Sequence, residues 1–162
     1  MKDTGKLKVT AQSEREIVMT RDFDAPRRLV FDALTKPELL KRWLGVFGGW
    51  ELAVCDVDLK VGGAYRYVWR RSSDGSEMGL RGVYREIVPP ERLVCTELFD
   101  EAWYPGEALV TTILAEQGGR TTLTSTMLYV SQETRDNVLK SGMERGVAAS
   151  YDRLEELLVS IE

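Results

Sequence analysis

The sequence contains no histidine and only two cysteines among its 162 residues. Catalysis by Ser-His-Asp or Cys-His groups is therefore excluded, as is any zinc or iron site that needs a histidine ligand. Cys55 and Cys95 lie too far apart to match a metal-binding spacing. Each lies in an apolar, strand-like run, where a free cysteine behaves as a small hydrophobic residue. We therefore expect two buried thiols.

The chain also lacks the excess of basic residues that nucleic-acid binding requires. It has 22 Lys and Arg against 26 Asp and Glu, a formal net charge of −4, which argues against contacts to phosphate. No apolar run approaches the roughly 20 residues of a membrane-spanning helix, and the polar N-terminus has no signal-peptide pattern. No glycine-rich phosphate-binding loop indicates a cofactor. We expect a cytoplasmic protein without cofactor, metal, nucleic acid or membrane span.

What is present is the composition of a globular domain, with 43% hydrophobic and 30% charged residues. The first residues are polar and carry no clear periodicity, and no linker or internal repeat interrupts the remainder. We predict a flexible tail over residues 1–13 and one domain over residues 14–162.

Hydrophobic periodicity predicts a strand over residues 16–23, followed by two short helices, at 29–34 and 38–44. Six extended segments follow, separated by turns rich in glycine and proline, at residues 51–57, 64–70, 77–87, 92–99, 107–116 and 120–130. Such short connections require antiparallel pairing. The pattern therefore predicts an α+β fold of one strand, two short helices and six strands, ending in a helix.

The C-terminal segment has the spacing of one long helix that begins after Ser131, a good N-cap. Its apolar stripe recurs every three or four residues at Met143, Val147, Tyr151, Leu154, Leu158 and Ile161. The concave face of the sheet is the surface available to cover this stripe. Gly142 and Gly146 interrupt the pattern, which indicates a kink or a close approach of another element.

The two strands joined by the turn at Asp74 and Gly75 have an aromatic and an arginine-rich face. Tyr65, Tyr67 and Trp69 share one face, and the alternate positions carry Arg66 and Arg70. On the next strand Leu80, Gly82 and Tyr84 continue the aromatic face, and Arg81 and Arg85 continue the other. We expect the arginine face to be a solvated outer surface and the aromatic face to point inward.

The aromatic, inward face is consistent with either a packed core or the wall of a cavity. Tyrosine and tryptophan have polar tips that need partners when buried, and Ser125 shares a face with Met127 and Tyr129. An apolar chamber with a few polar groups is typical of a small-molecule site. The predicted ligand-binding residues are Trp43, Tyr65, Tyr67, Trp69, Tyr84, Trp103, Met127, Tyr129, Met143, Val147 and Tyr151. Of these, Trp43 is expected at the mouth, and Trp103 in a lid at residues 100–105.

Four runs of the sequence resemble one bacterial family. They are TRDFDAP, VFDALTKPE and KRW within residues 20–43, DLKVGG and YRY within 58–67, GVYREIVPPERL at 82–93, and GMERG with DRL within 142–154. Together they resemble domains homologous to the activator of the Hsp90 ATPase, over about residues 16–158. The family often has a second Trp and a Pro after the position of Trp43, where this chain has Leu44, Gly45 and Val46.

The resemblance implies the START-like or Bet v 1-like (SRPBCC) superfamily. Its helix-grip fold has a strand, two short helices, six strands and a long helix that the curved antiparallel sheet wraps, with an internal cavity. This agrees with the order of elements read from the periodicity. Such folds host ligand carriers, enzymes and co-chaperone modules, so the resemblance does not fix one function.

Three functions remain open at this point. The first is binding of a small, largely apolar molecule (lipid-like, aromatic or polyketide-like) in the cavity. The second is a protein-interaction module, either co-chaperone-like or a homodimer formed through a sheet edge or the loop around Trp103. The third is a cyclase, dehydratase or hydrolase whose acid-base group is an Asp, Glu or Tyr. Its candidate carboxyls are Asp56, Glu97 and Glu107.

Overall fold

The computed structural model describes residues 2–4 and 6–161 of the chain. In chain order its elements are β1 (Lys2–Thr4), β2 (Leu7–Gln12), β3 (Glu16–Phe23), α1 (Arg27–Thr35), α2 (Pro37–Trp43), β4 (Trp50–Val57), β5 (Ala64–Arg71), β6 (Glu77–Val88), β7 (Arg92–Phe99), β8 (Ala108–Gln117), β9 (Arg120–Leu128), α3 (Gln132–Lys140) and α4 (Met143–Ile161). The predicted α+β class and the order of its central elements are confirmed. None of the helices in the described ranges is long and apolar enough to cross a membrane.

The nine described strands form one antiparallel sheet in the order β1-β2-β3-β9-β8-β7-β6-β5-β4. β3 pairs with β9, so Met19 lies opposite Ser125 on the neighbouring strand. The register shifts between Leu52 and Val54 on β4, and again between Tyr84 and Glu86 on β6. Such bulges bend and twist a strand, which helps the sheet to curve around the C-terminal helix.

Residues 7–12 were predicted to belong to a flexible tail, but they form β2 and pair with β3. Leu7 and Val9 are buried beside Ile17 and Met19. The alternation of these two apolar residues with Lys8 and Thr10 is a strand pattern, but it is too short to stand out from a polar N-terminus. Met1 and Gly5, also within the predicted tail, lie outside the described residues.

The predicted single C-terminal helix is divided in two. Ser131 caps α3, its hydroxyl accepting a hydrogen bond from the Thr134 amide at 3.1 Å. Gly142 lies between α3 and α4 with φ of 78°, a left-handed conformation that glycine adopts without strain and that commonly ends a helix. A kink or a close approach was expected at Gly142, but the helix ends there, and the apolar stripe lies on α4.

The core surrounds α4. Leu154 and Leu158 of this helix are buried with Phe23, Leu40 and residues of β4–β6 in one apolar cluster. Ala148 lies in a second cluster with residues of β2, β3 and β9. The space between the two clusters contains the candidate site.

Candidate functional site

A cavity of about 560 Å³ lies between the concave face of the sheet and α4. Its lining is mainly aromatic and aliphatic, as predicted. Nine of the eleven residues predicted from the sequence line it, namely Trp43, Tyr65, Tyr67, Trp69, Tyr84, Met127, Met143, Val147 and Tyr151. Phe47 and Met78 also line it and are 37% and 46% exposed, so they mark its opening to solvent.

One wall of the cavity is a row of rings on β5 and β6. The ring centroids of Tyr65 and Tyr67 are 4.9 Å apart, and those of Tyr65 and Tyr84 are 5.5 Å apart. Tyr65 Oη donates a hydrogen bond to the Thr96 carbonyl oxygen at 2.6 Å, and Trp69 Nε1 donates to the Leu44 carbonyl oxygen at 2.8 Å. Because backbone acceptors satisfy these polar tips, the wall is fixed and does not depend on a ligand for its order.

Trp43 was predicted at the mouth of the cavity but is buried in its wall. Its side chain is only 2% exposed, and its Nε1 donates a hydrogen bond to the Ala33 carbonyl oxygen at 2.9 Å. It packs against Tyr151 with ring centroids 6.0 Å apart. Trp43 therefore joins α2 to the cavity wall and does not act as a gate.

Two predicted site residues lie outside the cavity lining. Trp103 is 48% exposed and packs edge-on against Tyr104. Tyr129 is buried, also against Tyr104, with ring centroids 5.3 Å apart. The loop that contains Trp103 packs against the cavity-lining residue Phe99 through both Trp103 and Tyr104, and neither of these two side chains lines the cavity itself.

The partner of Tyr104 is the carboxyl group of Glu97, which lines the cavity from β7. Tyr104 Oη donates a hydrogen bond to Glu97 Oε1 at 3.3 Å. Burial raises the pKa of this carboxyl above its ordinary value, and the hydrogen bond from Tyr104 partly offsets that rise. The other two candidate carboxyls, Asp56 and Glu107, are exposed. Of the three, Glu97 alone faces the cavity.

The remaining polar lining groups are neutral at physiological pH. Burial raises the pKa of Tyr151 to about 12 and that of the Cys95 thiol to about 12. Ser150 Oγ accepts a hydrogen bond from the Gly45 amide at 3.0 Å, and Ser125 lies opposite Thr112 on the cavity floor. Neither cysteine is paired in a disulfide. Cys55 is buried as predicted, whereas Cys95 is only partly buried.

The arginines of the opposite face are paired with acidic residues at the surface. Arg66 makes a bidentate contact to Asp100, at 2.8 and 2.6 Å, and Arg81 contacts the same carboxylate at 2.8 Å. Arg70 pairs with Glu77 at 2.6 Å. This face is therefore the predicted outer surface, and none of these groups lines the cavity.

No group of three or more potential metal ligands occurs among residues 2–4 and 6–161. The described arrangement is thus an apolar chamber with one titratable carboxyl and several neutral hydroxyl groups. It can enclose an apolar molecule and make a small number of polar contacts to it.

Comparison with known proteins agrees with this architecture. A structure from Rhodobacter sphaeroides is 33% identical, with a TM-score of 0.86 over 96% of this chain and 99% of that one. A protein from Nitrosomonas europaea is 26% identical, with a TM-score of 0.80 over 94% of this chain and 99% of the other. A third, from Chromobacterium violaceum, is 28% identical, with a TM-score of 0.76 over 89% and 96%.

The search of curated proteins finds no match. The comparison with family profiles matches residues 24–159, which include both short helices, β4–β9 and nearly all of the C-terminal helices. This range contains the sequence runs on which the resemblance rested, except for the first four residues of TRDFDAP, at positions 20–23. The chain belongs to the family described as Activator of Hsp90 ATPase homolog 1-like protein.

Proposed function

We propose that the protein binds a small, largely apolar molecule in the cavity between the sheet and α4. The observation that carries the proposal is the cavity itself, about 560 Å³ and lined by aromatic and aliphatic side chains. Sites for drug-sized molecules typically have volumes of roughly 300–1,000 Å³ and the same mixture of apolar walls and few polar groups. A cavity of this size is far larger than the small voids of a close-packed core.

The way in which the wall is held supports the same proposal. Tyr65 and Trp69 are anchored to backbone carbonyl groups, so the rings cannot collapse inward without breaking buried hydrogen bonds. A preformed site loses little conformational entropy when its ligand binds. The cavity is therefore suited to a rigid aromatic molecule or a flexible chain of similar volume.

Binding of N-phenyl-1-naphthylamine, an uncharged probe that fluoresces in apolar surroundings, tests this proposal. We expect one probe molecule per chain, with a dissociation constant on the order of 10 µM. Tyr67→Ala and Tyr151→Ala remove parts of the wall and should each weaken binding about tenfold, because each deletes apolar contact area.

Arg66→Ala is the matched control, since Arg66 lies on β5 next to Tyr67 but on the outer face. It should leave the affinity for the probe within about twofold. Circular dichroism on each variant separates loss of the site from loss of the fold. Equal weakening by all three substitutions, with the fold intact, would contradict the placement of the site.

A further inference from the structure

We propose that the natural ligand is an apolar molecule that has a cationic amine, and that its ammonium group pairs with Glu97. This inference rests on the proposed function and specifies the chemistry of the molecule bound. It follows from the position of one acidic side chain in the cavity, from the charges absent around it and from the aromatic rings that share the cavity.

Glu97 is placed toward the cavity by its strand. On β7, Cys95, Glu97 and Phe99 share one face, and all three line the cavity. In the described part of the chain, Tyr104 alone hydrogen-bonds to the Glu97 carboxyl, through Oε1. The second oxygen, Oε2, therefore remains available to a hydrogen-bond donor on a ligand.

The described lining contains no lysine or arginine. An ionised Glu97 thus has no counter-charge inside the cavity, and burial of an unpaired carboxylate is unfavourable. A ligand ammonium would supply both the missing charge and a charge-assisted hydrogen bond. A ligand carboxylate would face Glu97 without any basic partner. The cavity is accordingly unsuited to a free fatty acid.

The aromatic wall favours the same class of ligand. Trp43, Tyr65 and Tyr151 line the same cavity as Glu97. The negative charge of Glu97 contributes to raising the pKa values of Tyr65 and Tyr151. The faces of Trp and Tyr rings attract cations within about 6 Å, more strongly when water is excluded. The net charge of −4 also attracts a cation from solution.

The test uses three probes with the same chain and different head groups, namely decylamine, decanol and decanoate. Each compound is titrated at pH 8 against the complex of the protein with N-phenyl-1-naphthylamine, and the concentration that displaces the probe is measured. All three compounds are kept below the concentrations at which they aggregate. We expect decylamine to displace the probe at about tenfold lower concentration than decanol, and decanoate to be the weakest. In Glu97→Gln, which keeps an acceptor for Tyr104, the advantage of the amine should fall to within about twofold.

Acidification of the wild-type protein gives a second measurement that needs no variant. Among residues 2–4 and 6–161, the titratable side chains that interact electrostatically with Glu97 are Tyr65, Cys95, Tyr104, Tyr129 and Tyr151. Burial raises the pKa of each, so all remain neutral between pH 4 and pH 8. Decylamine stays protonated over this range. Its advantage over decanol should therefore decline as Glu97 takes up a proton.

The outcomes separate this inference from the function on which it rests. If the naphthylamine probe fails to bind the folded wild-type protein, the proposed function is wrong and the inference falls with it. If the probe binds but decylamine has no advantage over decanol, the cavity is a ligand site and the inference alone is wrong. An advantage that persists in Glu97→Gln, or does not change with pH, also overturns the role of Glu97.

Discussion

Replacement of Gly146 by Trp is expected to abolish binding of N-phenyl-1-naphthylamine while leaving the protein folded. Gly146 lies within α4 and lines the cavity. A Cβ atom added there would meet only Phe47 Cζ, at 3.8 Å, an ordinary van der Waals contact. A larger side chain can therefore enter the cavity without displacing the helix. The indole ring would take up the volume that the probe needs, and the affinity should fall by at least about tenfold.

Gly146→Ala provides the matched control at the same position. Alanine adds one methyl group and leaves most of the cavity open, so the affinity for the probe should stay within about twofold of the wild type. Because glycine inside a helix is less favourable than alanine, this variant should be more stable by roughly 0.5–1 kcal/mol. If folded Gly146→Trp binds the probe as well as Gly146→Ala does, the probe occupies some other site.

Gly82→Ala is expected to be strongly destabilising, because Gly82 on β6 lies directly against the backbone of Thr96 and the ring of Tyr65. A Cβ atom at Gly82 would overlap the backbone oxygen of Thr96 and the ring of Tyr65, which lies opposite Gly82 in the strand register. The ring would have to move and would lose its buried hydrogen bond to the Thr96 carbonyl group. Overpacking and the unmade hydrogen bond together should lower the free energy of unfolding by about 3 kcal/mol.

Chemical denaturation of this variant measures the effect, with Arg85→Ala as its control. Arg85 lies on the same strand and is exposed, and its nearest acidic partner, Glu107, is 3.9 Å away. Removal of such a surface ion pair should change stability by no more than about 0.5 kcal/mol. The proposed wall geometry would be contradicted by a Gly82→Ala variant whose stability equals that of Arg85→Ala.

The aromatic wall was predictable because β5 and β6 alternate regularly. Apart from Gly82, large apolar residues occupy one face, and arginines with one valine per strand occupy the other. The period of two therefore assigns Tyr67 inward and Arg66 outward. The sequence predicted a single C-terminal helix, in which Gly142 indicated only a kink or a close approach. The helix divides there because glycine adopts the left-handed conformation without strain.

The orientation of Glu97 could not be predicted in the same way. Leu93 and Val94 are consecutive and both buried, so the residues of β7 do not alternate between a polar and an apolar face. Without that alternation, the sequence does not show which face of the strand Glu97 lies on. Nor does periodicity orient the adjacent rings of Trp103 and Tyr104, because they lie in an irregular loop. The volume of the cavity depends on the distance between elements far apart in sequence, which no local pattern specifies.

The placement of a ligand in this cavity can be followed at the methionine methyl groups by NMR. The chain has five methionines, and four of them, Met19, Met78, Met127 and Met143, line the cavity. With ¹³C-labelled methyl groups and N-phenyl-1-naphthylamine as ligand, the resonances of Met19, Met127 and Met143 should shift together and saturate at one equivalent. Shifts confined to Met78 at the opening, or no saturable shift at all, would contradict binding inside the cavity.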